Sequence, residues 1–419
     1  MSRVGARPRW RHPLDQTCAK RFVAGTHRIR PPAETVAEFG RLMPRMGITR
    51  LANITGLDWI GVPVYNGIRP NSRSLSVSQG KGADHDAAKA SALMETIEYW
   101  HAEHVEAPLC HDSYLGLRRR AAVVDVARLP LRAGAELRLA APFIWIEGFD
   151  LLADHPVWVP FETVTLNKVG LDYANTTFRL NSNGLASGNH LLEAILHGIC
   201  ELVERDAVTL WWTEGLAAAD RTKLDLGSVA DPLCRQVLDR FARAGLIAAA
   251  WDITSDVGIP SFQCCVLEQE PRPVWRPFGA CWGWGTHPDA AIALLRALTE
   301  AAQSRLTVIV GSRDDSFRDQ YATQHDAERL HQTREVFFSL PPRKRFGAVS
   351  SLAGASLDGD VAATLAALGR VGIESVVVVD LTQPALDIPV AKVIIPGLEH
   401  SVLFPGYAPG PRALARRSA

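Results

Sequence analysis

The feature that most constrains this chain is a segment type that it uses three times. Each copy has glycines followed by a helical stretch bearing two acidic or amide residues three apart. The first is Gly80-Lys81-Gly82-Ala83-Asp84-His85, leading into residues 86–100. The second is Asn183-Gly184-Leu185-Ala186-Ser187-Gly188, leading into 189–212. The third is Gly283-Trp284-Gly285-Thr286-His287-Pro288, leading into 289–306. With Ala87, Glu193 and Ile292 as equivalent origins, Glu95, Glu201 and Glu300 stand eight residues on. Three further on stand Glu98, Glu204 and Gln303. Small residues recur one and five positions after each origin, as Ala88/Ala92, Ala194/Gly198 and Ala293/Ala297. A spacing of four puts each small pair on one helical face, where a neighbouring backbone can approach closely. Each copy therefore predicts a glycine-bearing loop and then a helix.

The acids carry a chemical message. Residues three apart share a helical face, and Glu193, Glu201 and Glu204 fall on roughly one stripe. An isolated Glu-x-x-Glu is ordinarily a solvated face. Here Glu95 and Glu98 lie among Leu93, Met94, Ile97 and Trp100, while Glu201 and Glu204 lie among Ile199, Cys200, Leu202, Val203 and Trp211. Like charges held in apolar surroundings repel and are costly unless a cation compensates. The seven cysteines (Cys18, Cys110, Cys200, Cys234, Cys264, Cys265, Cys281) include no CxxC pair, and no zinc-type ligand cluster is present. Oxygen ligands without His or Cys suit Mg²⁺, which takes few carboxylates and completes its shell with water and phosphate. Lys81, Arg205 and Arg305 are charged partners for phosphate oxygens. The glycine pairs are neither a Walker A loop nor a dinucleotide fingerprint, since the required spacings are missing.

These residues resemble the YcaO superfamily, whose members bind ATP and Mg²⁺ without a Walker motif. The matching stretches are SQGKGADHDAAKASALMETIEYW, NSNGLASGNHLLEAILHGICELVERDAVTLWW and RALTEAAQSRL, with ITGLDWIGVPVYNGIRP upstream. The resemblance implies an α+β fold in which repeated loop-helix units and mixed sheets surround a buried ATP/Mg²⁺ site. It carries Ser91, Glu95 and Glu98 to the first motif, Asn183, Glu193, Glu201, Glu204 and Arg205 to the second, and Glu300, Gln303 and Arg305 to the third. Lys81, Ser91, Asn183, Arg205, Glu300 and Gln303 are then nucleotide-binding. Glu95, Glu98, Glu193, Glu201 and Glu204 are metal-binding, with Glu201, Glu204 and Arg305 closest to the chemistry. Tyr99 stands where the family has an arginine, and Arg69 or Lys81 is the expected substitute.

The chemistry implied by the resemblance is ATP-dependent activation of a peptide amide through phosphorylation of its oxygen. An external sulfide equivalent then yields a thioamide, whereas a substrate Cys, Ser or Thr yields an azoline ring. The third motif takes the form of the subgroup that works with a TfuA partner. The spacing of Pro405, Pro409 and Pro411 departs from the Pro-x-Pro-x-Pro tail of ring-forming relatives. Both features favour the thioamide. The implied partners are a peptide or protein substrate, a TfuA-like protein and, in some relatives, a leader-peptide-binding protein; a homodimer is compatible. A cyclodehydratase and a silent peptide-binding scaffold are the competing readings, the latter resting on Tyr99.

Composition supports this reading by exclusion. Hydrophobic residues are 47% and charged residues 21%, an ordinary globular balance. Lys+Arg and Asp+Glu are 45 each, which argues against a globally basic nucleic-acid binder. No apolar run approaches the ~18–20 residues of a membrane span. The cysteine pattern and the absence of an apolar signal core predict a cytoplasmic protein with reduced thiols. Domains are expected at 1–50 (a basic segment with 11 Lys or Arg against three acids), 51–412 (one catalytic unit) and 413–419 (a basic tail). The basic segment is either a solvated terminus or a dock for phosphate or an acidic peptide. Residues 376–379 read as a buried strand, and 361–368 as a helix that Gly369 stops. His85, His190 and His287 read as non-ligands. The Trp211, Trp212, Trp282 and Trp284 set reads as packing, with Trp284 the best candidate for base stacking. Arg313-Asp314-Asp315 reads as a capped turn in preference to a segment that touches metal.

Overall fold

The computed structural model describes residues 12–15, 17–170, 175–270, 278–403 and 406–417. Arg3, Arg7, Arg9, Arg11 and Pro405 lie outside them. In chain order the strands are β1 (Arg50–Asn53), β2 (Val64–Ile68), β3 (Val77–Lys81), β4 (Leu109–Ser113), β5 (Pro142–Asp150), β6 (His155–Pro160), β7 (Leu185–Ser187), β8 (Leu224–Asp225), β9 (Leu246–Asp252), β10 (Ser261–Glu268), β11 (Cys281–Thr286), β12 (Lys344–Arg345), β13 (Val377–Asp380) and β14 (Val390–Ile394). The helices are α1 (Pro32–Phe39), α2 (His85–Glu103), α3 (Tyr114–Leu117), α4 (Leu191–Glu214), α5 (Leu216–Thr222), α6 (Pro232–Arg243), α7 (Ala290–Val310), α8 (Arg318–Gln324), α9 (Ala327–Thr333), α10 (Leu357–Arg370) and α11 (Pro411–Arg417).

The fold is α+β, as the repeats and the resemblance predict. Three antiparallel sheets organise it: β1-β2-β3, then β11-β10-β9, and a six-stranded sheet β4-β5-β13-β14-β7 with β6 on the other edge of β5. The only parallel pairing among the described strands is β8 with β12, so the sheets are less mixed than expected.

The glycine stretches are only partly loops: Gly82, Gly184 and Gly188 lie outside strands, whereas others lie within them. Gly80 lies in β3, and Gly283 and Gly285 lie in β11. Alternation along a strand points Gly283 and Gly285 to the same face, toward the helix that follows. A Cβ on Gly80 would lie 2.5 Å from Ala88 O and 1.9 Å from Ala92 N. A Cβ on Gly285, at the same place in the third copy, would lie 2.1 Å from Ala293 O and 2.6 Å from Ala297 N. The small pairs are thus the helical half of one packing contact, and the strand glycines are the other half. In the second copy the strand carries Ala186 and the glycine moves to the helix as Gly198, whose Cβ would meet Gly184 O at 2.8 Å.

The helix starts are set by side chains that satisfy free N–H groups. Asp84 accepts from Ala87 N, His190 from Leu192 N, and Asp289 from Ala291 N and Ile292 N. Each helix packs on its own strand and also touches the strand of the next unit: α2 with β7, α4 with β11, α7 with β3. The three units therefore close into a ring.

Outside the ring, the strand read at 376–379 is β13, buried between β5 and β14. Gly369 is not the stop of its helix. It sits inside α10, and the left-handed turn beyond is made by Gly372 at φ +80°. No described helix is long and apolar enough to cross a membrane.

Candidate functional site

A cavity of about 700 Å³ occupies the centre of the ring, within the ~300–1,000 Å³ range usual for small-molecule sites. Lys81, Ser91, Glu95, Glu98, Glu193, Glu201, Glu204, Arg205, Glu300 and Gln303 all line it. Two expected residues do not. Arg305 is five residues past Glu300, about 140° around the helix. It is buried on the far side of α7, 3.0 Å from Glu268 Oε1 and stacked on Phe278 and Trp59. Asn183 is also buried away from the cavity, with Nδ2 2.9 Å from His400 Nδ1. Asn189 lines the wall instead.

Ion pairs and hydrogen bonds cross from unit to unit. Lys81 Nζ donates to Glu300 Oε2 at 2.6 Å, joining the first copy to the third. Ser187 donates from its N–H (2.8 Å) and its hydroxyl (2.7 Å) to Glu98 Oε1, joining the second to the first. Gln303 Nε2 donates to Gln79 O at 2.8 Å. Within α4, the Arg205 guanidinium stands 3.5 Å from Glu201 and 3.6 Å from Glu204. Glu201 Oε2 also accepts from Gly184 N. Glu193 is the most committed acid: it accepts from Ile29 N, Asn189 N and Asn189 Nδ2, and Arg28 is 3.8 Å away.

Burial in company with like charges shifts these groups. Glu95 is pushed up to about 7, chiefly by desolvation, with Arg313 and Lys81 opposing and Glu201 adding to the rise. Glu98 is pushed to about 8 by burial and by Glu95 and Glu201. Glu204 is pushed to about 7 by burial, against the pull of Arg205. Burial acts on Glu300 in the same sense, but Lys81 and Arg205 override it and hold the carboxyl below its ordinary value.

Several cavity residues were not evident from the repeats. Arg28 and Arg30, from the basic N-terminal stretch, reach the wall, and α1 packs on α2. Arg296 sits one turn before Glu300 on α7, and that spacing was the available signal. Its Nη2 is 3.0 Å from Nε2 of His197, an imidazole that burial and Arg296 keep neutral. Arg313 enters from beyond α7, held by Asp315 at 2.8 and 2.5 Å. The turn expected at 313–315 forms, but its arginine faces the site. Arg313 acts electrostatically on both Glu95 and Tyr99, so it is a cation that serves the departure at Tyr99. Arg69 is excluded from that role: it is buried in a two-pronged pair with Glu103 (2.5 and 2.7 Å). Trp284 does not face the cavity. It donates to Gln263 within an aromatic cluster with Trp211, Trp212, Trp251, Trp282 and Phe337. His85 contacts Tyr65 and His190 caps α4, while His287 accepts from Asp289 N and borders the cavity.

The donor set fits a polyanion accompanied by Mg²⁺. Nε of Arg205 and Nε of Arg296 are buried donors without a protein partner. Three carboxyls with raised affinity for protons mark a place where a second cation is welcome. Among the described residues no three acid, imidazole or thiol groups already converge tightly enough to hold a metal alone.

Residues 79–399 match a family model described as YcaO cyclodehydratase, ATP- and Mg²⁺-binding. A protein encoded in the tfuA 3′ region of Rhizobium leguminosarum bv. trifolii is 38% identical over 384 residues, covering 88% of each chain. The YcaO structure from Methanopyrus kandleri, bound with AMPPCP and Mg²⁺, superposes with a TM-score of 0.70 at 22% identity, over 91% of this chain and 95% of that one. A heterocyclase in complex with substrate and cofactor gives 0.75 at 22% identity over 92% of this chain. The present chain spans about half of that heterocyclase, 54% of its length.

Proposed function

The chain belongs to the YcaO family of ATP- and Mg²⁺-binding proteins, and from that premise we propose that it activates a backbone amide of a peptide for thioamide formation, with a TfuA-like partner delivering sulfur. The observation that carries the amide-activating part is the ring of carboxylates from three units around one cavity with buried arginine donors. The 38%-identical relative from a tfuA region supports the sulfur branch.

Each wall has its task in this reading. Glu95, Glu98, Glu201 and Glu204 hold Mg²⁺, while Lys81, Arg205, Arg296 and Arg313 face the phosphates. ATP, when bound, supplies the phosphoryl group that turns the amide oxygen into a leaving group. Positioning and electrostatics carry such a transfer, so fixed cations matter more than a protein nucleophile. Glu193, bound by two backbone N–H groups, fixes the start of α4 and the segment carrying Arg28. His197, kept neutral, offers Nε2 to Arg296 and holds its guanidinium in place.

Azoline formation is the second reading, favoured by the family description as cyclodehydratase. Mass spectrometry of a candidate peptide co-expressed with the chain and its partner separates the two. Exchange of oxygen for sulfur adds mass, whereas ring closure removes one water. An unmodified peptide under conditions of full ATP turnover overturns both.

A further inference from the structure

A second cavity of about 880 Å³ lies beside the first and plays no part in the chemistry above. The two share a wall one helical turn thick: Tyr99 faces the nucleotide cavity, while Glu103, four residues on along α2, faces the second. Ser182 and Leu180 divide in the same way, and Tyr99 Oη donates to Ser182 Oγ at 3.4 Å on the nucleotide side of the partition.

Its floor is the unfinished end of a sheet. β6 pairs with β5 only from Trp145 to Asp150, so among the described strands the Pro142–Ile144 end of β5 has a neighbour on its β4 side alone. Ile144 is 47% exposed there, opposite His111 in register, and Phe143 and Phe161 border it. An open strand edge beside apolar side chains is the arrangement that accepts an extended peptide.

The lining carries three arginines, Arg73, Arg132 and Arg138, and three glutamates, Glu103, Glu136 and Glu162. Glu103 is engaged by Arg69, Ser72 and Ser74. Glu136 is paired with Arg138, and Glu162 accepts from Thr177 N and Phe178 N. Each of these glutamates thus has a donor partner, and Arg73 is an exposed cation of the lining.

We propose that this groove is the bed of an extended acidic and apolar segment of the substrate, laid along the free end of β5 and aimed at the Tyr99–Ser182 partition. The inference rests on the peptide-activating reading of the neighbouring cavity, and it adds where the peptide lies and what charge it carries.

The test uses the full chain and two fluorescein-labelled octapeptides, one alternating Glu/Asp with Leu/Phe and one with Lys in place of the acids. Tighter binding of the acidic peptide by anisotropy is expected, with slowed hydrogen exchange at residues 109–113 and 142–146. Arg73→Glu and, separately, Ile144→Asp are expected to weaken it about tenfold each. Both variants should retain wild-type Mg²⁺-ATP binding by calorimetry, which also certifies their fold. Equal binding of the two peptides, protection elsewhere, or indifference to both substitutions overturns the groove. So does protection of this face by raised concentration of the chain alone, which identifies a second copy as its occupant. Loss of nucleotide binding in the wild type, with peptide binding intact, would instead sink the reading on which the groove rests.

Discussion

Lys81 and Glu300 meet at 2.6 Å although 219 residues separate them, and this pair fastens the first unit of the ring to the last. Lys81→Met removes the charge that keeps Glu300 ionised. The expected result is about a tenfold rise in the KM for ATP with the far-ultraviolet spectrum unchanged. An unaltered KM would remove Lys81 from the phosphate site.

Glu201→Gln and Glu204→Gln test the carboxylates of α4. ATP turnover is expected to fall by about two to three orders of magnitude, because the site loses a carboxylate that would hold Mg²⁺ against the phosphates. Thermal unfolding should stay close to wild type. Normal turnover by either variant removes that residue from the metal site.

The raised carboxyls predict a pH signature. Glu95, Glu98 and Glu204 take protons in the fold at about 7, 8 and 7, against an ordinary value of 4.5. The folded state therefore binds more protons than the unfolded state between about 4.5 and 8, and stability without metal falls as pH rises through that window. Mg²⁺ must displace those protons, so its stabilising effect should be larger at pH 8 than at pH 6. Calorimetry in buffers of different ionisation enthalpy should register proton release near neutrality. A Mg²⁺-induced rise in Tm independent of pH contradicts the assignment.

Arg305 separates structural from chemical roles. Arg305→Met leaves Glu268 and Asp58 buried without their cation, at a cost of about 3–5 kcal/mol. At a temperature where the variant remains folded, its kcat should match wild type. Arg296→Met should do the reverse, sparing stability and weakening nucleotide binding.

Glycine substitutions probe the packing of the units. Gly80→Ala places a methyl group 1.9 Å from Ala92 N, where backbone must move, and a loss of about 3 kcal/mol or more is expected. Gly369→Ala meets open space inside α10 and is expected to stabilise by about 0.5–1 kcal/mol. Urea unfolding of both variants beside the parent measures the contrast.

The carboxylates were legible because their spacing of eight and eleven keeps each set on one stripe of a helix, a property of sequence alone. Asn183 and Arg305 were misplaced for the complementary reason. Membership in a motif fixes the segment, but the angle around the helix or the turn of the chain decides which side faces the cavity. Arg28, Arg30 and Arg313 come from segments outside the repeat, and only tertiary packing brings them in. The Gly-x-Gly alternation held its own clue, since a period of two belongs to strands. Read as a turn signal, it hid the strand-on-helix contact that all three units share.

The closed ring also bears on how the protein is made. During synthesis the glutamates of the first two units leave the ribosome long before residue 300, so for that interval their charges have neither Lys81–Glu300 closure nor a complete chamber around them. Contacts of such wide sequence separation form late and slowly. A nascent chain of this kind cannot close its nucleotide-sized interior until the third helix has emerged, and a message truncated before it encodes a chamber open on one side.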